Sequence, residues 1–241
     1  MNRFFTTLSL TPIFTVTQDD LYHQITRVFR ARKGEKVIFF NRGWWDVIYE
    51  ISEITKNRIV FMRMEEISKN ISENPLNLHV FQSYPNKIAT MEIIVQKLVE
   101  IGVKKLTFFP SAYSQLYDIG HQKRLRIENI AKEAMEQSGG NEPIEIVYDT
   151  RKIETILSQI SPEIYHIVAH QKGNTYFDSK SISPKTVWLW IGPEGWWSDD
   201  ESVLFEEKGL SFWSFNQNIL RLETAAILGA GILTYFGFHW K

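Results

Sequence analysis

The pattern of hydrophobic positions changes near residue 70 of the chain. Before that point, short segments such as residues 35–41 and 44–54 alternate or run apolar between polar turns, which is typical of β-strands. A further strand over residues 57–67 completes a small all-β unit, and we expect a barrel or curled sheet. The polar residues 68–77 follow and are the best candidate for a linker.

Beyond the linker, apolar strands alternate with amphipathic helices. Residues 88–101 carry apolar side chains at three- and four-residue spacing, which predicts one buried helical face, and Gly102 is placed to end that helix. Almost uniformly apolar strands, such as residues 186–191, indicate a parallel sheet covered on both faces. The pattern therefore predicts a β domain over residues 1–72 and an α/β domain over residues 73–241.

Two loops of the α/β domain carry more special residues than a plain turn needs. The first is GPEG at residues 192–195, which follows an apolar strand and precedes a predicted capping box formed by Ser198 and Glu201. The second is the polar segment 216–225, which follows another predicted strand at residues 211–215. Because ligands bind beyond the carboxyl ends of parallel strands, we expect the two loops to form one binding cleft.

The second loop also has a plainer interpretation. As part of a cleft, its apolar residues Ile219 and Leu220 would wall a flat heterocycle. The alternative is a surface pair of Arg221 and Glu223, with Thr224 as the N-cap of the last helix.

Composition narrows the class of protein. The chain has 241 residues, 44% hydrophobic and 23% charged, which is an ordinary globular balance. The net charge of −1 means that any nucleic-acid site must be a local patch. The absence of cysteine excludes disulfides, thiolate catalysis and cysteine zinc sites. We expect a cytoplasmic protein without a membrane span, because the most apolar stretch, residues 224–240, is short and glycine-rich.

The sequence lacks the motifs of several common nucleotide-binding and hydrolytic sites. There is no G-x-x-x-x-G-K-[ST], no G-x-G-x-x-G between a strand and a helix, and no G-x-S-x-G. Gly229 and Gly231 lie in an apolar helix, where small residues permit close packing. His166 and His170 are four residues apart, but their segment is predicted as a strand without a carboxylate, so no metal site is predicted. His170 either faces a ligand at the end of that strand or lies on the surface.

The two loops are among several segments of the chain that resemble one known protein family. GPEG at residues 192–195 and LRLETA at residues 220–225 resemble the RsmE-type small-subunit ribosomal RNA uridine-N3 methyltransferases of the trefoil-knotted SPOUT superfamily. Residues 23–43 are similar to the N-terminal PUA-like barrel of that family, and residues 87–111 and 133–146 to segments of its methyltransferase domain. The likeness covers nearly the whole chain, and the pair of loops is its most specific part.

The resemblance implies the following organisation and activity. Residues 1–72 would form a PUA-like β-barrel that binds RNA, and residues 73–241 a SPOUT α/β domain with a mostly parallel sheet and a C-terminal trefoil knot. The enzyme would be a cytoplasmic homodimer that uses S-adenosylmethionine to methylate uridine N3 in 16S ribosomal RNA. Its partner would be ribosomal RNA or the small ribosomal subunit.

The same resemblance, together with the loops, gives the expected site residues. The cofactor-binding residues are His170, Gly192, Pro193, Glu194, Gly195, Ile219, Leu220, Arg221, Thr224 and Ala225. For catalysis we expect Arg221 to orient or stabilise the uracil, with Glu223 and Glu194 shaping the loops. The expected RNA-binding residues are Arg27, Arg30, Arg32, Lys33, Lys123, Arg124 and Arg126, each cluster having a solvated surface as its alternative.

The chain also departs from the family pattern. Trp196 stands where a small residue is usual, and Leu222 replaces the usual threonine. Gly140, Asn216 and Asn218 stand where the family has arginine or glycine, which removes positive charge. Two alternatives therefore stay open: a SPOUT methyltransferase acting on a different RNA nucleotide, and a non-catalytic RNA-binding or ribosome-assembly protein that retains the fold.

Overall fold

A computed structural model describes residues 1–41, 45–68, 76–161, 163–174, 186–216 and 218–237. The chain divides into two compact units, the first comprising Met1–Ser72 with Gly139–Glu142 and the second comprising the remainder. Most of the predicted linker, residues 69–75, lies outside the described residues. No helix among the described residues has the length and apolar character needed to cross a bilayer.

The first unit is built on a curled mixed sheet. Its strands are β1 (Asn2–Phe5), β2 (Ile13–Thr17), β3 (Lys36–Phe40), β4 (Trp45–Ile54) and β5 (Arg58–Ser68). They lie in the order β1-β3-β4-β5-β2, with β1 parallel to β3 and the other pairs antiparallel. The core is aromatic, with Phe39 in edge-to-face contact with Phe14 and Phe61. A short helix, α1 (Asp20–His23), and a π-helical turn interrupt the strands, and the hydrophobic pattern did not predict them.

The second unit has a six-stranded sheet in which every pair of neighbours is parallel. Its strands are β6 (Asn77–Ser83), β7 (Lys105–Phe109), β8 (Glu145–Tyr148), β9 (Tyr165–Asn174), β10 (Thr186–Ile191) and β11 (Ser211–Trp213). Its helices are α2 (Ile88–Ile101), α3 (His121–Ser138), α4 (Ile153–Leu157), α5 (Asp199–Glu207) and α6 (Leu222–Gly237). The strand order is β11-β9-β10-β6-β7-β8, so the predicted parallel α/β architecture is confirmed.

Local signals explain where the helices begin and end. Gly102 ends α2 with a left-handed backbone at φ 88°, a conformation that glycine adopts without steric cost. Ser198 and Glu201 form the predicted capping box at the start of α5. Both predictions from the sequence are confirmed.

The last helix differs from the sequence expectation in two ways. It begins at Leu222, two residues before Thr224, so the interpretation of Thr224 as its N-cap is wrong. The expected close packing holds at Gly229, where a Cβ would lie 2.8 Å from the Phe215 ring. At Gly231 a Cβ would meet nothing within 4 Å, so no packing within the described residues requires that glycine.

Candidate ligand cleft

A cleft of about 820 Å³ opens at the carboxyl edge of the parallel sheet. It is lined by Asn86, Lys87 and Thr90 after β6, Ala169, His170 and Gln171 in β9, residues 191–194 with Trp196 and Trp197 after β10, and residues 213–216, 218–223 and 225 after β11. Because β9 lies between β10 and β11 in the sheet, its residues bridge the two predicted loops. The expectation that both loops contribute to one cleft is met by this lining.

The GPEG loop is a tight turn held at several points. The amide of Trp196 donates to the Pro193 carbonyl over 3.1 Å, which closes the turn. The Glu194 carboxylate accepts the amide of Asn86 over 3.0 Å, so it ties this loop to the start of α2. Glu194 is therefore a positioning residue, since its oxygen is committed to a backbone donor.

The two glycines of this loop each have an aromatic residue close to the position that a side chain would take. A Cβ on Gly192 would lie 3.2 Å from the Trp197 indole, and a Cβ on Gly195 would lie 3.1 Å from Cβ of Tyr113. A side chain at either position would push the aromatic neighbour away by a few tenths of an ångström. Gly195 thus contributes to packing against Tyr113 rather than to the lining of the cleft.

Trp197 fixes the loop to the rest of the sheet. Its indole N–H donates to the Ala169 carbonyl over 3.0 Å, and its ring stacks on Phe109 and meets the edge of Phe205. The side chain is buried. The turn after β10 and the adjacent part of β9 are consequently held together at the floor of the cleft.

Glu201 braces the same region from the side. Its buried carboxylate accepts the amide of Ala112 over 2.8 Å and the amide of Ser198 over 2.9 Å. One side chain therefore caps α5 and also holds the loop after β7, which carries Tyr113. The sequence predicted the cap and gave no signal for the second bond.

The loop after β11 presents a cation and a carboxylate to the cleft. Arg221 is exposed and Glu223 is half-buried, and both line the cleft. Neither side chain has an ion pair or hydrogen bond with the described residues. Two of the three expected catalytic side chains, Arg221 and Glu223, are thus available to a ligand.

His170 is held as a neutral ring. Burial lowers its pKa below the ordinary value, the positive charge of Lys172 lowers it further, and Glu206 opposes the shift. Nδ1 accepts the amide of Lys172 over 3.0 Å, so the proton of the neutral ring is on Nε2. His170 lines the cleft, and its Nε2–H has no acceptor among the described residues.

His166 has a different environment from His170. His166 is buried and accepts the indole N–H of Trp190 over 3.2 Å, and burial lowers its pKa. Among the described residues no group of three or more histidine and acidic side chains is arranged to hold a metal ion.

The cleft brings together most, but not all, of the expected cofactor-binding and catalytic residues. Those that line it are His170, Gly192, Pro193, Glu194, Ile219, Leu220, Arg221, Glu223 and Ala225. Thr224 is exposed on the first turn of α6 and, like Gly195, is not part of the lining. Asn86 and Lys87 were missed, although the rule that ligands bind at carboxyl ends of strands applies to β6 as well.

The expected RNA-binding residues differ in availability. Arg27, Arg30, Arg32 and Lys33 are exposed in the first unit and have no ion pair with the described residues, and Arg30 has a left-handed backbone at φ 52°. In α3, Lys123 is exposed, whereas Arg124 pairs with Asp118 and Arg126 pairs with Glu92 at 2.7 Å. Two of the three expected RNA-binding cations in α3 are therefore partly neutralised within the chain.

The second unit is an α/β unit with a cavity at the carboxyl edge of its parallel sheet, which is where ligands bind in folds of this class. The family model for an RNA methyltransferase domain matches residues 72–234. The ribosomal RNA small subunit methyltransferase E 2 of Borreliella burgdorferi is 30% identical, covering 92% of this chain and 90% of its own length. The ribosomal RNA small subunit methyltransferase E of Bacillus subtilis is 27% identical over 98% of this chain and 96% of its own.

A solved structure shares the fold. The ribosomal RNA small subunit methyltransferase E of Neisseria gonorrhoeae, bound to S-adenosylmethionine, superposes with a TM-score of 0.82 at 24% identity and covers 98% of this chain and 97% of its own. The chain belongs to the RNA methyltransferase family that includes these small-subunit ribosomal RNA enzymes.

Proposed function

We propose that the protein transfers a methyl group from S-adenosylmethionine to N3 of a uridine in small-subunit (16S) ribosomal RNA. The observation that carries the proposal is the single cleft formed by the GPEG loop and the loop before α6, in a chain of this family. The names of the relatives, which specify the small ribosomal subunit, support the choice of RNA.

The cleft suits a cofactor of this size and chemistry. Its volume of about 820 Å³ lies in the range of small-molecule sites, and Ile191, Pro193 and Leu222 give it a buried apolar floor. The buried Oδ1 of Asn86 has no hydrogen-bond partner among the described residues and is an acceptor for an amino or hydroxyl group. When bound, S-adenosylmethionine supplies an electrophilic methyl group on a sulfonium.

The cofactor contacts in this proposal are the expected residues that line the cleft, with Asn86 added. Ile219 and Leu220 provide apolar surface, and the Nε2–H of His170 provides a donor. Gly192 lines the cleft and carries no side chain of its own, so a ligand can approach its backbone. Gly195 and Thr224 support the loops without lining the cleft.

The chemistry at the uracil requires loss of the N3 proton. The cation of Arg221 stabilises the negative charge that develops on the ring as that proton leaves. Glu223 lines the cleft and has no ion pair or hydrogen bond with the described residues, and in this proposal its carboxylate accepts the N3 proton. Glu194 acts indirectly, because its bond to the Asn86 amide positions the GPEG loop. Exclusion of water by the buried floor favours transfer in line.

The RNA would be held by the exposed cations of the first unit. Arg27, Arg30, Arg32 and Lys33 are available for phosphates, and Lys123 is the available cation of the α3 trio. Because N3 lies on the pairing edge of uracil, the base must be unpaired or flipped out to enter the cleft.

The proposal extends to the architecture around the cleft. It includes a PUA-like barrel over residues 1–72, a trefoil knot in the C-terminal part of residues 73–241, and a location in the cytoplasm, where ribosomal RNA is found. It also includes a homodimer, supported by the partly exposed apolar residues Ile227, Leu228 and Ile232 of α6. Light scattering should then give twice the mass of one chain, and the mass of a single chain would refute the proposed homodimer.

The test is nucleoside mass spectrometry of small-subunit ribosomal RNA from a strain lacking this protein. We expect N3-methyluridine to disappear and to return when the wild-type chain is supplied. Unchanged N3-methyluridine with loss of another methylated nucleoside would assign a different target nucleotide. No change in any methylated nucleoside, with no cofactor binding by calorimetry, would indicate a non-catalytic RNA-binding or assembly protein.

A further inference from the structure

Two consecutive tryptophans in the turn after β10 have opposite environments. Trp197 is buried, hydrogen-bonded and stacked. Trp196 lines the cleft with 36% of its surface exposed, and its indole has no ring contact or hydrogen bond with any part of the chain that the structure describes. Internal packing accounts for Trp197 and leaves the indole of Trp196 without a structural role.

The backbone at Trp196 is held in an unfavourable conformation. Its φ of 70° lies in the left-handed region, where a bulky L-residue is an outlier and glycine is the residue that fits without cost. Of the non-glycine residues described, only Arg30 shares a positive φ. Strain of this kind is concentrated at sites that bind ligands, because a stable turn alone would be built with glycine.

The rim of the cleft differs from its floor. Ile191, Pro193 and Leu222 at the floor are buried, as a site for a small enclosed cofactor requires. At the rim, Trp196 and Ile219 are exposed, and Ile219 is 70% exposed.

The rim also carries two exposed cations, Lys87 and Arg221, and neither has a partner among the described residues. A π-face beside unpaired positive charge is complementary to a single-stranded nucleic acid, whose bases stack and whose phosphates are anionic.

We propose that Trp196 is a stacking platform for an unpaired base of the RNA substrate at the entrance of the cleft. The indole face receives the base, Ile219 adds apolar contact, and Lys87 meets an adjacent phosphate. This inference rests on the proposed function, because it needs RNA to enter the cleft.

The experiment compares three variants of the full chain at one fixed salt concentration. Trp196→Phe keeps an aromatic face, Trp196→Leu keeps apolar bulk and a Cβ without that face, and Trp196→Gly removes the side chain and the strain. Anisotropy of a fluorescent oligouridylate reports RNA binding, calorimetry with S-adenosylhomocysteine reports the cofactor site, and thermal unfolding reports the fold.

We expect Trp196→Leu and Trp196→Gly to bind oligouridylate about tenfold more weakly, and Trp196→Phe within about threefold of wild type. Affinity for S-adenosylhomocysteine should stay within about twofold in all three, since the indole lies at the rim. Trp196→Gly should unfold at no lower a temperature than wild type, because glycine accommodates the positive φ.

Three results would overturn the inference. Oligouridylate binding by Trp196→Leu equal to wild type would show that no aromatic face is used. Weaker cofactor binding with unchanged RNA binding would place the indole in the cofactor site. A wild-type chain that neither binds nor methylates RNA would refute the proposed function as well, whereas normal methylation by wild type and by Trp196→Leu would refute the stacking role alone.

Discussion

At the level of single residues, replacing Arg221 should affect the rate of methyl transfer much more than the affinity for the cofactor. Replacing it with alanine should lower single-turnover methylation of small-subunit ribosomal RNA by about 10²–10³-fold, because the charge that develops on the uracil loses its cation. Affinity for S-adenosylhomocysteine, measured by calorimetry, should change by less than about fivefold, since the exposed guanidinium contributes little to the buried floor.

The matched variant at this position is Arg221→Lys. It keeps the charge and loses the planar fork, so we expect a rate between those of wild type and Arg221→Ala. A rate for Arg221→Ala within threefold of wild type would remove Arg221 from the mechanism.

Single residues also show how far the sequence alone predicts the cleft. Ile219 and Leu220 could be chosen because apolar residues in a polar loop after a strand are unusual, and both line the cleft. Asn86 could not be chosen, because an asparagine before a helix is ordinary and its unsatisfied Oδ1 is visible only in three dimensions. The contact between Gly195 and Tyr113 could not be predicted either, because a glycine in a loop does not reveal which residue lies beside it.

At the level of secondary-structure elements, Glu201 links helix α5 to the loop after β7. Glu201→Ala should lower the free energy of unfolding by about 1–3 kcal/mol, because it removes the capping box and leaves the Ala112 amide without its acceptor. Urea denaturation of the full chain measures the change. Cofactor affinity should fall with it, since the loops around the cleft lose a shared support.

Glu207→Ala is the control within the same helix. Glu207 is exposed at the last residue of α5, so its removal subtracts the same charge without breaking a cap, and we expect a change within about 0.5 kcal/mol. Equal destabilisation by the two variants would show that the effect of Glu201 is one of charge rather than of its two backbone bonds.

The elements themselves were partly predictable. The spacing of hydrophobic residues predicted α2 and the parallel sheet. A helix with one buried face repeats apolar residues every three or four positions, and a strand buried on both faces is apolar throughout. The alternative interpretation of Thr224 as the N-cap of α6 is wrong, because Glu223 and Thr224 lie in the first helical turn although both are polar. The position of β9 between β10 and β11 is a property of chain topology, which local sequence does not encode.

For the molecule as a whole, a row of rings in the parallel sheet, formed by the buried His79 and His166 and the partly buried Trp188, makes stability depend on pH. Trp188 of β10 lies in register with His79 of β6 on one side and His166 of β9 on the other. Burial, with smaller contributions from Lys105 and His166, lowers the pKa of His79 to about 3, and burial also lowers the pKa of His166. The folded state therefore keeps both rings neutral in a pH range where the unfolded chain binds protons.

The sign of the effect follows from these lowered values. The stability that neutral His79 and His166 contribute is present above pH 6.5 and is lost as the pH falls below it, by up to about 1.4 kcal/mol per pH unit for each ring. Urea denaturation between pH 7 and pH 5 should thus show that the free energy of unfolding of wild type decreases as the pH falls. The decrease should be smaller for His79→Gln, because glutamine keeps a hydrogen-bonding group near Thr107 without an ionisable ring. The control, His121→Gln, removes a histidine that is exposed at the start of α3, and its pH dependence should match that of wild type. If the free energy of unfolding of His79→Gln decreased with pH as steeply as that of wild type, the row of rings would not cause the loss of stability in acid.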